Sequence, residues 1–116
     1  MIDNLEKTEA LMGEMRGGLP MSAFVTAELQ RTLRENSPEL VCSRQCQITG
    51  ITYLGDGGGI MCHLDLGIHG QEKVHIVSIT HLSFDRGNPL SREIRTYQKH
   101  RIKRLRKLHG RPFNSE

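Results

Sequence analysis

The sequence has no tryptophan, and its aromatic residues amount to two tyrosines and three phenylalanines in 116 positions. So few flat rings argue against a base-stacking platform for single-stranded nucleic acid. Cysteine is scarce too, with three residues. An odd count does not suit a closed disulfide framework and fits reduced thiols inside a cell. No apolar run approaches the roughly 18–20 residues that a membrane span needs. Residues 1–18 are acidic and lack the apolar region of a signal peptide, so the expected location is cytoplasmic. Hydrophobic residues make up 36% of the chain. That allows a modest core in a single domain.

Acid is nearly absent from one segment. Residues 90–109 read LSREIRTYQKHRIKRLRKLH, with eight lysines or arginines against the single acid Glu93. Residues 84–116 carry ten basic and three acidic side chains, a net of +7, while residues 1–83 carry six basic and ten acidic, a net of −4. The overall charge of +3 therefore conceals a polarised molecule. A local positive field of that kind implies an anionic partner.

The chain divides by its patterning into three parts: residues 1–18, a short helix or a flexible tail; residues 19–110, one α+β domain; and residues 111–116, a tail. In the first part Asp3 and Glu6 have capping-box-like spacing, and Leu5, Thr8, Met12 and Met15 line one side of a helix. Residues 20–35 predict a second helix, with Pro20 at its first position and Met21, Val25, Leu29 and Leu33 recurring every four residues. Residues 40–83 change character. Three runs rich in β-branched residues alternate in part and are separated by glycines at 55–59 and by Gly70-Gln71. They predict a three-stranded antiparallel meander with hairpin turns at 55–59 and 70–72. The GDGGG run is not followed by the Lys-Ser/Thr of a phosphate loop, so a turn is the better reading.

Asn88-Pro89 then opens a long final helix over 89–109, with Asn88 as N-cap and Gly110 as its stop. At 100° per residue Leu90, Ile94, Tyr97, Leu105 and Leu108 share one face, flanked by Ile102. The resulting order is (α)-α-β-β-β-α, a three-stranded sheet packed on helices. The α-β-β-β-α order is shared by the double-stranded RNA-binding domain. This chain lacks that family's lysine-rich start to the last helix followed by small residues, so the parallel concerns topology alone.

On the basic helix, Arg92, Arg95, Lys99, Lys103 and Arg106 fall within one arc opposite the apolar face. His100 and Lys107 extend the arc, and Arg104 borders the apolar side. Arg101 alone projects into the apolar stripe, where its stem can cover a core edge. Dense like charges repel, and glutamine or glutamate would solvate a helix as well. The arc therefore reads either as a simple solvated face or as a nucleic-acid contact through the backbone of RNA or a duplex. The alternative partners are an acidic protein surface, docked by a non-catalytic adaptor or assembly subunit, and an anionic membrane surface.

Cys42, Cys46 and Cys62 do not read as a zinc site. Cys42 and Cys46 lie along one predicted strand, roughly 13 Å apart at about 3.3 Å per residue. His63, His69, His75 and His81 recur every six residues. A three-residue turn at 70–72 places them on one sheet face, with His63, Asp65 and His81 as a possible site. A two-residue turn sends the pairs to opposite faces. Nothing supplies a nucleophile motif, so a binding protein is the reading, with no cofactor, no metal and no catalytic residue expected.

Overall fold

The computed structural model describes residues 3–36, 44–65 and 75–109. It is an α+β fold built on a five-stranded antiparallel sheet. Helix α1 (Leu5–Gly17) begins where Asn4 Oδ1 accepts the Lys7 N–H at 3.1 Å. Asn4, not Asp3, is therefore the cap. Its buried side is Thr8, Leu11, Met12 and Met15, while Leu5, placed on that stripe from the sequence, is exposed.

The expected helix over 20–35 is two elements. Strand β1 (Met21–Val25) buries Met21, Ala23 and Val25, and helix α2 (Ala27–Asn36) follows. Thr26 separates them: its Oγ1 accepts the Leu29 N–H at 3.3 Å and its carbonyl accepts the Gln30 N–H at 2.9 Å. The period of four in Met21, Val25, Leu29 and Leu33 concealed a period of two in Met21, Ala23 and Val25. The strand prevails because the ladder to β2 satisfies its backbone while all three side chains enter the core.

Strand β2 (Gln45–Tyr53), β3 (Ile60–Asp65) and β4 (His75–Ser78) pair in sequence order, antiparallel throughout, as the predicted meander. The two strands that the sequence did not predict are β1 and the two-residue β5 (Leu82–Ser83). The sheet order is β4-β3-β2-β1-β5. A parallel to the α-β-β-β-α order accordingly does not extend to this chain. The two edges, β4 and β5, are joined by one 3₁₀ turn, Ile79–His81. A link of three residues between opposite edges requires the sheet to curl back on itself.

The glycine-rich separator at 55–59 is a hairpin connection, as predicted, wound as a single helical turn, α3 (Gly55–Gly58). Gly55 and Gly59 have φ of 65° and 66°, values that favour glycine. The predicted turn at 70–72 lies outside the described residues.

A register shift between Ile48 and Gly50 is a β-bulge. It switches the core-facing set on β2 from Cys46 and Ile48 to Ile51. Inside the curl, Met15, Val25, Ile48, Ile60, Cys62, Leu64, Ile79 and Ile94 are fully buried. Burying a side chain of this kind stabilises by about 1.5–3 kcal/mol.

Candidate nucleic-acid interface on the C-terminal helix

Helix α4 (Ser91–His109) starts two residues later than the sequence predicts. Asn88 Oδ1 accepts the Leu90 N–H at 2.8 Å, and the Asn88 carbonyl accepts the Ser91 N–H at 3.0 Å. Asn88 thus shapes an Asx turn that leads into the helix, and Pro89 stands in that turn. Nineteen residues extend over about 28 Å at about 1.5 Å each.

One side of α4 is pinned to the body. Ile94 and Tyr97 are buried, and Leu90 packs against the core from a partly buried position. Gln98 Nε2 donates to the carbonyls of Ile79 and Leu82, both at 2.7 Å, and so ties the helix to the turn joining the sheet edges. One turn further on lies Arg101, only 2% exposed. Its Nη1 is 3.2 Å from Asp3 Oδ2 and 3.3 Å from Oδ1, and its Nη2 donates to the Asp56 carbonyl at 2.8 Å. Tyr97 and Tyr53 both donate their hydroxyls to Asp3 Oδ2, at 2.8 and 2.9 Å. The Tyr97 oxygen also accepts the Ile60 N–H at 3.0 Å.

Burial pushes the Tyr53 phenol up to about 12, and its bond to Asp3 adds to the effect. Burial raises Tyr97 further; the Ile60 N–H opposes that rise and the Asp3 bond reinforces it. Gly59 makes room for the cluster, because a Cβ there would lie 2.5 Å from the Tyr97 oxygen and 2.7 Å from Arg101 Nε.

The sequence placed Arg101 in the apolar stripe with its stem over a core edge. In the structure the charged head is buried as well, and it is Asp3 that makes this possible. A buried guanidinium without a partner would be costly. Beyond Arg101 the apolar face runs out. Leu105 is half-buried, but Leu108 is 61% exposed and Ile102 37%. Leu108, assigned to the packed face from the sequence, is therefore corrected to the surface.

Arg92, Arg95, Lys99, His100, Lys103, Arg104, Arg106 and Lys107 are all exposed. Among the described residues no carboxylate pairs with Arg92, Arg95, Lys99, Lys103, Arg106 or Lys107. The cations of the arc stand on one outward side of a helix whose inner side is fixed by hydrogen bonds and one ion pair.

Among the described residues the histidines do not assemble. In the β3–β4 register Ile76 lies opposite His63 and His75 opposite Leu64. His63 and His75 consequently face opposite sides of the sheet. His81, expected diagonally across from His63, lies in the 3₁₀ turn after β4 has ended, because the pairing is three residues out of step with the one that a 70–72 turn implies. Asp65 shares the His63 face by alternation. His63 Nε2 meets Thr52 Oγ1 at 2.6 Å, and its ring lies against Gly50, where a Cβ would come within 3.0 Å of Nδ1. His69 is outside the described residues.

Cys46 and Cys62 are buried, and Cys46 Sγ donates to the Ala23 carbonyl at 3.5 Å. Burial pushes their thiols up to about 11 and about 12. Both thiols are therefore held in the protonated form at neutral pH. Cys42 lies outside the described residues. Among the described residues no three His, Cys, Asp or Glu side chains are gathered for a metal ion. No described helix is long and apolar enough to cross a membrane. No protein-family model matches the sequence, and no curated protein or solved structure is significantly similar to it.

Proposed function

We propose that this protein binds nucleic acid through the phosphate backbone, using the outward arc of α4. The observation that carries the reading is the row Arg92, Arg95, Lys99, Lys103 and Arg106, exposed and without a carboxylate partner among the described residues. Successive members are three or four positions apart, so they rise along one side of a straight rod by about 4.5–6 Å each. Spacing of that order suits successive phosphates. Contacts of this kind hold a strand or duplex without reading its bases. With Tyr97 turned inward, the arc offers no tyrosine or phenylalanine ring for stacking on unpaired bases.

The test is copurification and binding. Absorbance at 260 nm should accompany the protein and be removed by nuclease. Reversing Arg95, Lys99 and Lys103 together should abolish it without unfolding the chain. If the triple variant binds RNA and DNA, duplex and single-stranded, as well as wild type does, the reading is wrong.

A second reading is favoured by one specific observation, the exposed Ile102 and Leu108 at the outer end of α4. Apolar side chains bordered by cations suit an acidic protein groove, and α4 would then be the docking handle of an adaptor. In that case a stoichiometric protein, insensitive to nuclease, copurifies instead.

A further inference from the structure

The cluster that pins α4 has the construction of a binding site. Three donors converge on one carboxylate: the guanidinium of Arg101 and the hydroxyls of Tyr53 and Tyr97. The donors belong to the folded body, Tyr53 to β2 and the other two to α4. Two of them are also held by bonds that do not involve Asp3. The Tyr97 oxygen is fixed by the Ile60 N–H, and Arg101 Nη2 by the Asp56 carbonyl. Gly59 leaves space beside both. The acceptor is different in kind. Asp3 stands before the cap of α1, outside any helix or strand, and reaches the donors from the start of the chain. Its side chain is fully enclosed.

We propose that Tyr53, Tyr97 and Arg101 form a carboxylate-binding site that Asp3 fills in cis. The ligand class follows from the donors. A guanidinium with two phenols on one oxygen matches a planar carboxylate, which accepts on both oxygens and needs no donor in return. With the Asp3 side chain withdrawn, the site takes a small carboxylate from solution. The N-terminal segment is then a competitor tethered to its own receptor. This inference does not depend on the nucleic-acid reading, because the cluster faces inward and the arc faces outward.

Chemical rescue tests it. Asp3→Ala empties the site and leaves the donors in place. Thermal melting of this variant is followed while formate or acetate replaces chloride at constant ionic strength. At formate about five times its dissociation constant, linkage raises the melting temperature by about 4 °C for a domain of this size. Wild type, with its site filled, shows no difference between the salts. Asp3→Ala/Arg101→Met loses the formate effect because the guanidinium is gone. If Asp3→Ala does not fold in chloride, the same titration is read as recovery of far-UV circular dichroism, and refolding in formate but not chloride supports the site. Equal behaviour in formate and chloride overturns the proposal. So does a formate effect that persists in the double variant.

Discussion

At the scale of single residues, the two tyrosines matter most, because they are the only two in the chain and both donate to Asp3. Their phenols are raised above the ordinary value near 10, Tyr53 to about 12 and Tyr97 in the same direction. The native state therefore holds these protons more tightly than the unfolded chain does. The resulting stability is complete below pH about 10 and is lost as pH rises through the raised values. A spectrophotometric titration at 295 nm, with circular dichroism alongside, is expected to show no phenolate near pH 10. Phenolate should emerge only as the fold is lost at higher pH. Two phenols titrating near 10 with the dichroism unchanged would show that in solution they are neither buried nor bonded to Asp3.

At the scale of elements, α4 has two zones with different energetics. Up to Arg101 the helix is part of the core, and Ile94 is almost wholly enclosed. Ile94→Ala should cost about 2–5 kcal/mol through lost burial and the cavity left behind. Past Arg101 only Leu105 is half-buried, and Lys103 and Leu108 are exposed, so Leu108→Asp and Lys103→Glu should both melt close to wild type. A large loss from Leu108→Asp would show that the outer turns pack against something in solution.

The helical phase of α4 and the hairpin at 55–59 were legible because period and glycine placement state them directly. Strand β1 was not, since Met21-Ser-Ala-Phe-Val25 satisfies helix and strand periods at once and only its partners decide. Nor was β5, because two residues carry no period. The bulge at Gly50 blurred the alternation of β2 by changing its phase midway. Of the candidate interface, the exposed cations could be read from 100° per residue. The tether could be read only by half: Arg101 stood out in the apolar stripe, but nothing local identifies a partner 98 positions earlier.

At the scale of the whole molecule, charge is separated between the sheet-bearing portion and the final helix. Residues 84–116 carry a net of +7 and residues 1–83 a net of −4. On the nucleic-acid reading, affinity comes from counterion release and must fall steeply with salt. With about four to six phosphate contacts, log K against log salt should have a slope of roughly −3 to −5. Reversing Arg95, Lys99 and Lys103 should flatten it by about 3, one unit for each lost contact. A slope near zero for wild type would mean that the arc makes no phosphate contacts.

The curled sheet and the Asp3 tether together impose an order in time. Synthesis delivers Asp3 first and Arg101 after 98 further positions. Through that interval the carboxylate lacks the Arg101 guanidinium, and the Ile60 N–H lacks the Tyr97 hydroxyl. Loop-closure entropy rises only slowly with length, so the late joining costs little more than a shorter one. A nascent chain halted before α4 lacks both the guanidinium that pairs with Asp3 and the hydroxyl that the Ile60 N–H bonds. Only once α4 has been made can Asp3 gain its guanidinium partner and Ile94 and Tyr97 take their buried places.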